Sequence, residues 1–218
     1  IVDDWRALQG GYDVNAWTLP LPLWARRPFD HDGQQAWQVL RHDLRHADPQ
    51  RPICIYVHLP FCARKCGFCD SYSFQVKQDA QSVIRSYLDQ VGDELRLWSR
   101  AGSLQQRPVS TVHLGGGTPA FIGNRQLARL VQTIRTSFNV DPATEWALET
   151  TASSLTPAMQ GTLPDLGFRR LHIGVQSLEE PCRRAIGRRS APAQVLQRLA
   201  AARALGWVVS VDLLCGLP

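Results

Sequence analysis

Ile55-Tyr56-Val57-His58-Leu59-Pro60-Phe61-Cys62-Ala63-Arg64-Lys65-Cys66-Gly67-Phe68-Cys69 runs from an apolar, β-branched strand into a loop with three cysteines spaced C-x3-C-x2-C. The strand, starting at Ile53, reads as a buried member of a parallel sheet, so the loop sits at a strand end. Three thiolates this close can grip three irons of a four-iron cluster and leave the fourth iron open to a small molecule. Phe61 and Phe68 would then shield the cluster from water. Two other readings remain at this point: structural zinc with a fourth ligand such as His58 or a distant Cys, and ordinary buried thiols. Six cysteines in 218 residues do not make a disulfide framework. Clustered thiols point to a metal site and to a reducing, cytoplasmic setting. Cys54 and Cys215 read as core residues, apart from the cluster loop.

Outward from this loop the chain is regular. Ile84, Tyr87, Leu88, Val91, Leu95 and Trp98 recur at helical spacing, as do Leu127, Leu130, Val131, Ile134 and Phe138. Val109–Leu114, Glu145–Glu149, Arg170–Val175 and Trp207–Leu214 read as further strands, and Ser190 with Pro192 reads as a helix start. Strand and helix alternate with crossovers long enough for helices. That predicts an α/β fold with a parallel sheet, either a barrel or an open doubly wound sheet. The sequence stops directly after the fifth strand, so an incomplete core is expected. Residues 1–50 differ: they hold Trp5, Trp17, Trp24, Trp37 and several prolines. They predict an irregular N-terminal arm with one helix at 34–46, packing on a core that spans 51–218.

Composition narrows the function. Hydrophobic residues make up 44% and charged residues 20%, as in a globular chain. The net charge of +5 is spread without a Lys/Arg run, so no nucleic-acid partner is expected. No stretch reaches the roughly 18 apolar residues of a membrane span.

Polar and glycine residues gather at strand ends: the cysteine loop, Gly115-Gly116-Gly117-Thr118-Pro119, Glu149, Gln176 and Asp212. In a parallel barrel these ends share one face, where active sites are built. The triple glycine lets backbone groups approach a ligand, or simply makes a tight turn. Glu149, Gln176 and Asp212 fit either a polar ligand or a neighbouring loop, and Arg188 fits either a carboxylate or solvent.

Taken together, Tyr56-Val57-His58-Leu59-Pro60-Phe61-Cys62, the cysteine triplet, Gly115 to Pro119, Gly174-Val175-Gln176-Ser177, Ile186-Gly187-Arg188 and Asp212 to Pro218 resemble the radical S-adenosylmethionine (radical SAM) superfamily. The resemblance is strongest to its HemN-like branch of coproporphyrinogen III dehydrogenases, haem chaperones and methyltransferases. It implies a partial (βα)6 TIM-like barrel, with five of its units in this chain. It implies that Cys62, Cys66 and Cys69 bind a [4Fe–4S] cluster. It also implies that Tyr56, Phe68, Gly116, Gly117, Thr118, Glu149, Gln176, Arg188 and Asp212 contact S-adenosylmethionine (SAM). Tyr56 and His58 are the candidate catalytic residues. The branch implies an aromatic or porphyrin-like small-molecule substrate and an electron donor such as flavodoxin or ferredoxin.

Two departures shape the expected reaction. The dehydrogenases carry another cysteine two residues after the third, where this chain has Ser71. They and the chaperones also tend to have an Asp-Pro or Asn-Pro pair near the position after Glu149, where this chain has Thr150-Thr151-Ala152. Both departures fit the HemN-like methyltransferases of natural-product pathways, which use two SAM molecules. The expectation is therefore C-methyl or methylene transfer, with oxidative decarboxylation or haem chaperoning as alternatives.

Overall fold

The computed structural model describes residues 33–69, 71–77 and 80–217. Most of the expected arm, residues 1–32, lies outside the described residues. By internal contacts the chain divides into Ile1–His42 and Asp43–Pro218. Helix α1, Gly33–His46, begins in the first unit within one residue of its expected start.

In chain order the second unit contains β1 (Ile53–Leu59), β2 (Phe61–Cys62), β3 (Phe74–Gln75), α2 (Gln81–Ser99), β4 (Val109–Gly116) and a 3-10 turn at Pro119–Ile122. Then come α3 (Asn124–Ser137), β5 (Glu145–Thr151), α4 (Pro157–Thr162), β6 (Phe168–Gln176), α5 (Glu180–Ala185), α6 (Pro192–Ala204) and β7 (Val208–Leu213). The described residues form one five-stranded sheet in the order β1-β4-β5-β6-β7, every neighbour parallel. Sequential order with helical crossovers is the arrangement of a (βα) barrel arc, as the strand–helix alternation predicts. Among the described residues, no helix is long and apolar enough to cross a membrane.

Alternation along the strands sorts side chains onto two faces. Ile55, Val57, Leu59, Val112, Leu114, Trp146, Leu148, Leu171 and Ile173 are buried on the outer face. The α2 helix follows the predicted spacing, burying Ile84, Leu88 and Leu95, and α3 buries Leu127, Leu130, Val131 and Ile134. Each such fully buried aliphatic side chain contributes about 1.5–3 kcal/mol over an exposed one.

Three local expectations are corrected. Cys54 is exposed, because it shares the opposite, concave face with Tyr56 and His58; its Sγ lies 3.4 Å from Ser110 Oγ. Cys215 is likewise exposed, past the end of β7. Ser190 does not cap the helix after it. Ala191 occupies the N-cap of α6 with Pro192 in the first turn, and the Ser190 carbonyl instead accepts from Arg183 Nε at 3.0 Å. The short strands β2 and β3 and the helices α4 and α5 lack a clear period in the sequence, because they span only two to six residues each.

Candidate active site at the strand ends

The cysteine loop leaves β1 and is tied down at both ends. Phe74 N–H donates to Pro60 O at 2.6 Å and Val76 N–H to Cys62 O at 3.0 Å, which closes the β2–β3 pair. Lys65 Nζ reaches across the loop to Ser71 O at 2.6 Å and Ser73 Oγ at 3.1 Å. Backbone bonds from Gly117 N–H to Leu59 O (2.9 Å) and Thr118 N–H to Phe61 O (2.8 Å) dock the glycine turn of β4 on this loop. Ser71 Oγ also donates to Gly116 O at 3.3 Å.

The glycines there are required by space. A Cβ on Gly115 would stand 2.7 Å from Glu149 Oε1, and one on Gly117 would stand 2.9 Å from Cys62 Sγ. Gly116 has φ 113°, a backbone conformation other residues rarely adopt.

These elements enclose a cavity of about 360 Å³. Its lining includes Cys62, Cys66, Cys69, Phe68, Gly116, Gly117, Thr118, Glu149, Gln176, Arg188 and Asp212, residues drawn from widely separated motifs. Gln176 ends β6 at φ 65°, the one described non-glycine with positive φ, where a side chain costs about 1–2 kcal/mol. Its Oε1 and Arg188 Nε are buried without hydrogen-bond partners. Burial pushes the Cys66 thiol up, while the Arg188 guanidinium acts in the opposite, thiolate-favouring direction. Arg188 also lies over the Phe68 ring at 6.0 Å. Phe68 is half-buried in the lining beside the thiols, whereas Phe61, expected to shield them, is buried with its ring edge-on to Tyr87 of α2 at 5.2 Å. Among the described residues, no three His, Cys, Asp or Glu side chains are grouped to share one metal ion.

Tyr56 and His58 are not in that lining but adjoin it: a Cβ on Gly115 would meet Tyr56 at 2.8 Å and one on Gly116 would meet His58 at 2.8 Å, and both residues line a second cavity of about 420 Å³ between β1 and α2. His58 Nε2 lies 2.7 Å from Tyr72 O, and a carbonyl only accepts, so Nε2 carries the proton. In the neutral ring, Nδ1 then accepts from Tyr56 O–H at 3.2 Å.

The radical SAM superfamily profile matches residues 56–218. The chain belongs to the radical SAM superfamily. It is 33% identical over 171 residues to the oxygen-independent coproporphyrinogen III oxidase of Salmonella typhimurium, covering 78% of this chain and 36% of that protein. It is 31% identical over 171 residues to the heme chaperone HemW of Mycobacterium tuberculosis, covering 78% and 43%. The solved structure of coproporphyrinogen III oxidase (HemN) from Escherichia coli, a radical SAM enzyme, matches with a TM-score of 0.76. That match has 29% identity over 83% of this chain and 41% of that chain. These similarities place the radical SAM chain in the HemN-like branch. It spans little more than a third of the oxidase's length, 36%.

Membership implies a [4Fe–4S] cluster and SAM, and the site fits both. Three thiols open onto one cavity, backbone lies where a Cβ would collide, and the orphaned Gln176 and Arg188 atoms await polar partners.

Three residues of this site were not singled out by sequence. His113 Nε2 lies 2.8 Å from Glu149 Oε1, and His172 stacks on His113. Arg183 is 3% exposed and staples the loop after β6, its Nη1 donating to Val175 O (3.0 Å) and Ser177 O (2.8 Å). Burial, then Arg188, pushes the Arg183 guanidinium down. The signal available for the histidines was alternation: in Val112-His113-Leu114 and Leu171-His172-Ile173 a titratable side chain takes the inward position between buried neighbours.

Proposed function

We propose that this chain is the SAM-cleaving core of a HemN-like radical SAM enzyme. We further propose that it transfers a methyl or methylene carbon to an unactivated or sp2 carbon of an aromatic or porphyrin-like small molecule. The single observation that carries the first reading is the convergence of the cysteine loop, the glycine turn, Glu149, Gln176, Arg188 and Asp212 on one cavity.

Bound there, a [4Fe–4S] cluster would supply the single electron for reductive cleavage of SAM, the source of radical chemistry on a substrate. The chain's residues hold and orient. Cys62, Cys66 and Cys69 would anchor the cluster through three thiolates. The backbone of Gly116 and Gly117, with Thr118, makes room for the methionine end of SAM. Arg188 offers a guanidinium to a carboxylate, Gln176 an unpaired amide oxygen to a donor, and Glu149 and Asp212 acceptors to amine or ribose groups. Phe68, in the cavity lining, keeps water from the thiols. Tyr56 and His58, as a donor–acceptor pair, would act on the substrate side. A small redox protein such as flavodoxin or ferredoxin would deliver the electron, in a reducing cytoplasm that suits six free cysteines.

Carbon transfer, with a second SAM as donor, is supported by the two departures from the oxidase pattern. Ser71 uses its hydroxyl to tie the loop to Gly116 O, where the oxidases carry a thiol. Thr151 Oγ1 bonds Ser153 Oγ at 2.9 Å and Ser154 Oγ at 3.0 Å, forming a turn in place of an Asp-Pro or Asn-Pro pair. A second reading, oxidative decarboxylation, is favoured by the identity with the coproporphyrinogen III oxidases.

Anaerobic reconstitution with methyl-labelled SAM tests the proposal, and label is expected in the product. Decarboxylation of coproporphyrinogen III without label would install the second reading. Stoichiometric haem binding with no SAM cleavage would replace both by a chaperone.

A further inference from the structure

Glu149 is held at both oxygens. Its Oε1 accepts from His113 Nε2 at 2.8 Å, and its Oε2 accepts from Gly116 N–H at 3.0 Å. A carboxylate only accepts, so His113 carries its proton on Nε2. Gly115 leaves the carboxylate just enough space, since a Cβ there would lie 2.7 Å from Oε1. Behind His113 stands His172, its ring 5.1 Å away with the planes 21° apart. The short Ala147, in register with His113, leaves room for the rings to meet across β5. His172 is itself anchored, with Nδ1 2.5 Å from Ser210 Oγ on β7. On the other side Tyr56 packs its ring 5.6 Å from His113. A hydrogen-bonded and stacked line thus crosses from β7 through β6 and β4 to a carboxylate on β5.

We propose that His113, braced by the stacked His172, is the positioning residue of Glu149: its N–H fixes one carboxylate oxygen so that the other stays on Gly116 and the group faces the cavity in one orientation. This rests on the reading of that cavity as the SAM site. Burial, His113 and Arg170 push His172 below the ordinary imidazole value, against the opposing pull of Glu149 and Asp212. A neutral His172 braces His113 without like-charge repulsion.

The test pairs two substitutions. His113→Phe keeps a ring between Tyr56 and His172 and removes the N–H, whereas His113→Gln removes the ring and restores a donor. In reconstituted protein, equilibrium dialysis with SAM should show about a tenfold or greater loss of affinity for H113F and no more than about a threefold loss for H113Q. In the unloaded protein, exchange of the Gly116 amide should quicken in H113F and stay slow in H113Q. Wild-type affinity and slow Gly116 exchange in H113F would overturn the proposal, as would equal losses in both variants, which would assign the effect to ring packing. If the wild-type chain binds no SAM, the site reading fails, and Gly116 exchange alone still decides whether His113 positions Glu149.

Discussion

The two faces of the parallel sheet are made by the same strands and follow opposite rules. On the outer face Val57, Leu114, Leu148 and Ile173 are at most 5% exposed. On the concave face the intervening positions carry Tyr56, His58, His113, Glu149, His172 and Asp212, which pair with one another or face a cavity. One side therefore supplies folding free energy through burial, and the other carries polar groups that are satisfied only by close partners or a ligand. Stability and chemistry should separate when substitutions are placed face by face.

The largest effect belongs to the loop that caps the concave face. Replacing Cys62, Cys66 and Cys69 together by alanine should abolish bound iron, the brown absorbance and SAM cleavage. The denaturation midpoint of the metal-free chain should fall only modestly, since Cys66 and Cys69 are partly exposed and only Cys62, on β2, is buried. Iron–sulfide analysis beside urea unfolding checks both halves. Retained cluster and nucleoside release would break the site assignment.

On the outer face, Leu148→Ala should cost about 2–5 kcal/mol, because Leu148 is fully buried and truncation leaves a cavity. Urea unfolding should register that loss, whereas His172→Ala, one strand away on the other face, should cost well under half as much. Equal costs would mean that the concave face is as much a core as the outer one.

The sequence made much of this legible where residue type and spacing lie in one contiguous stretch. The strand-end clusters, the cysteine triplet and the glycine turn are local signals, and so are the apolar periods of α2 and α3. Two of the misses were non-local. The His113–Glu149 bond joins residues 36 apart, and the Arg183 staple depends on a buried guanidinium that sequence alone reads as a surface charge. The Cys54 miss is local, because the Ile53–Leu59 run looks largely apolar and so reads as core. Its every-other-residue pattern places Cys54 with Tyr56 and His58 instead.

Gln176 is where the two faces' demands meet in one residue. Gln176→Gly should relieve a left-handed backbone, so stability should stay level or rise by up to about 1 kcal/mol. The same change removes the buried, unpartnered Oε1, and SAM affinity should fall about tenfold. Unfolding and dialysis on the one variant test both effects. A loss of stability together with unchanged SAM affinity would mean that Gln176 is a structural plug and not a ligand contact.

The smallest expected effect is a pH dependence carried by His172. Burial, the neighbouring His113 and Arg170 lower its pKa below 6.5 in the folded chain, while Glu149 and Asp212 oppose them. The unfolded chain then binds more protons than the folded one between the depressed value and the ordinary one. Stability must rise with pH across that window and be lost as pH falls below 6.5. Urea midpoints at neutral and mildly acidic pH should therefore show a loss on acidification that is smaller in His172→Asn, which has no proton to gain. An identical loss in that variant would assign the pH dependence to other groups. It would also leave the concave face with a histidine stack whose charge state has no bearing on folding.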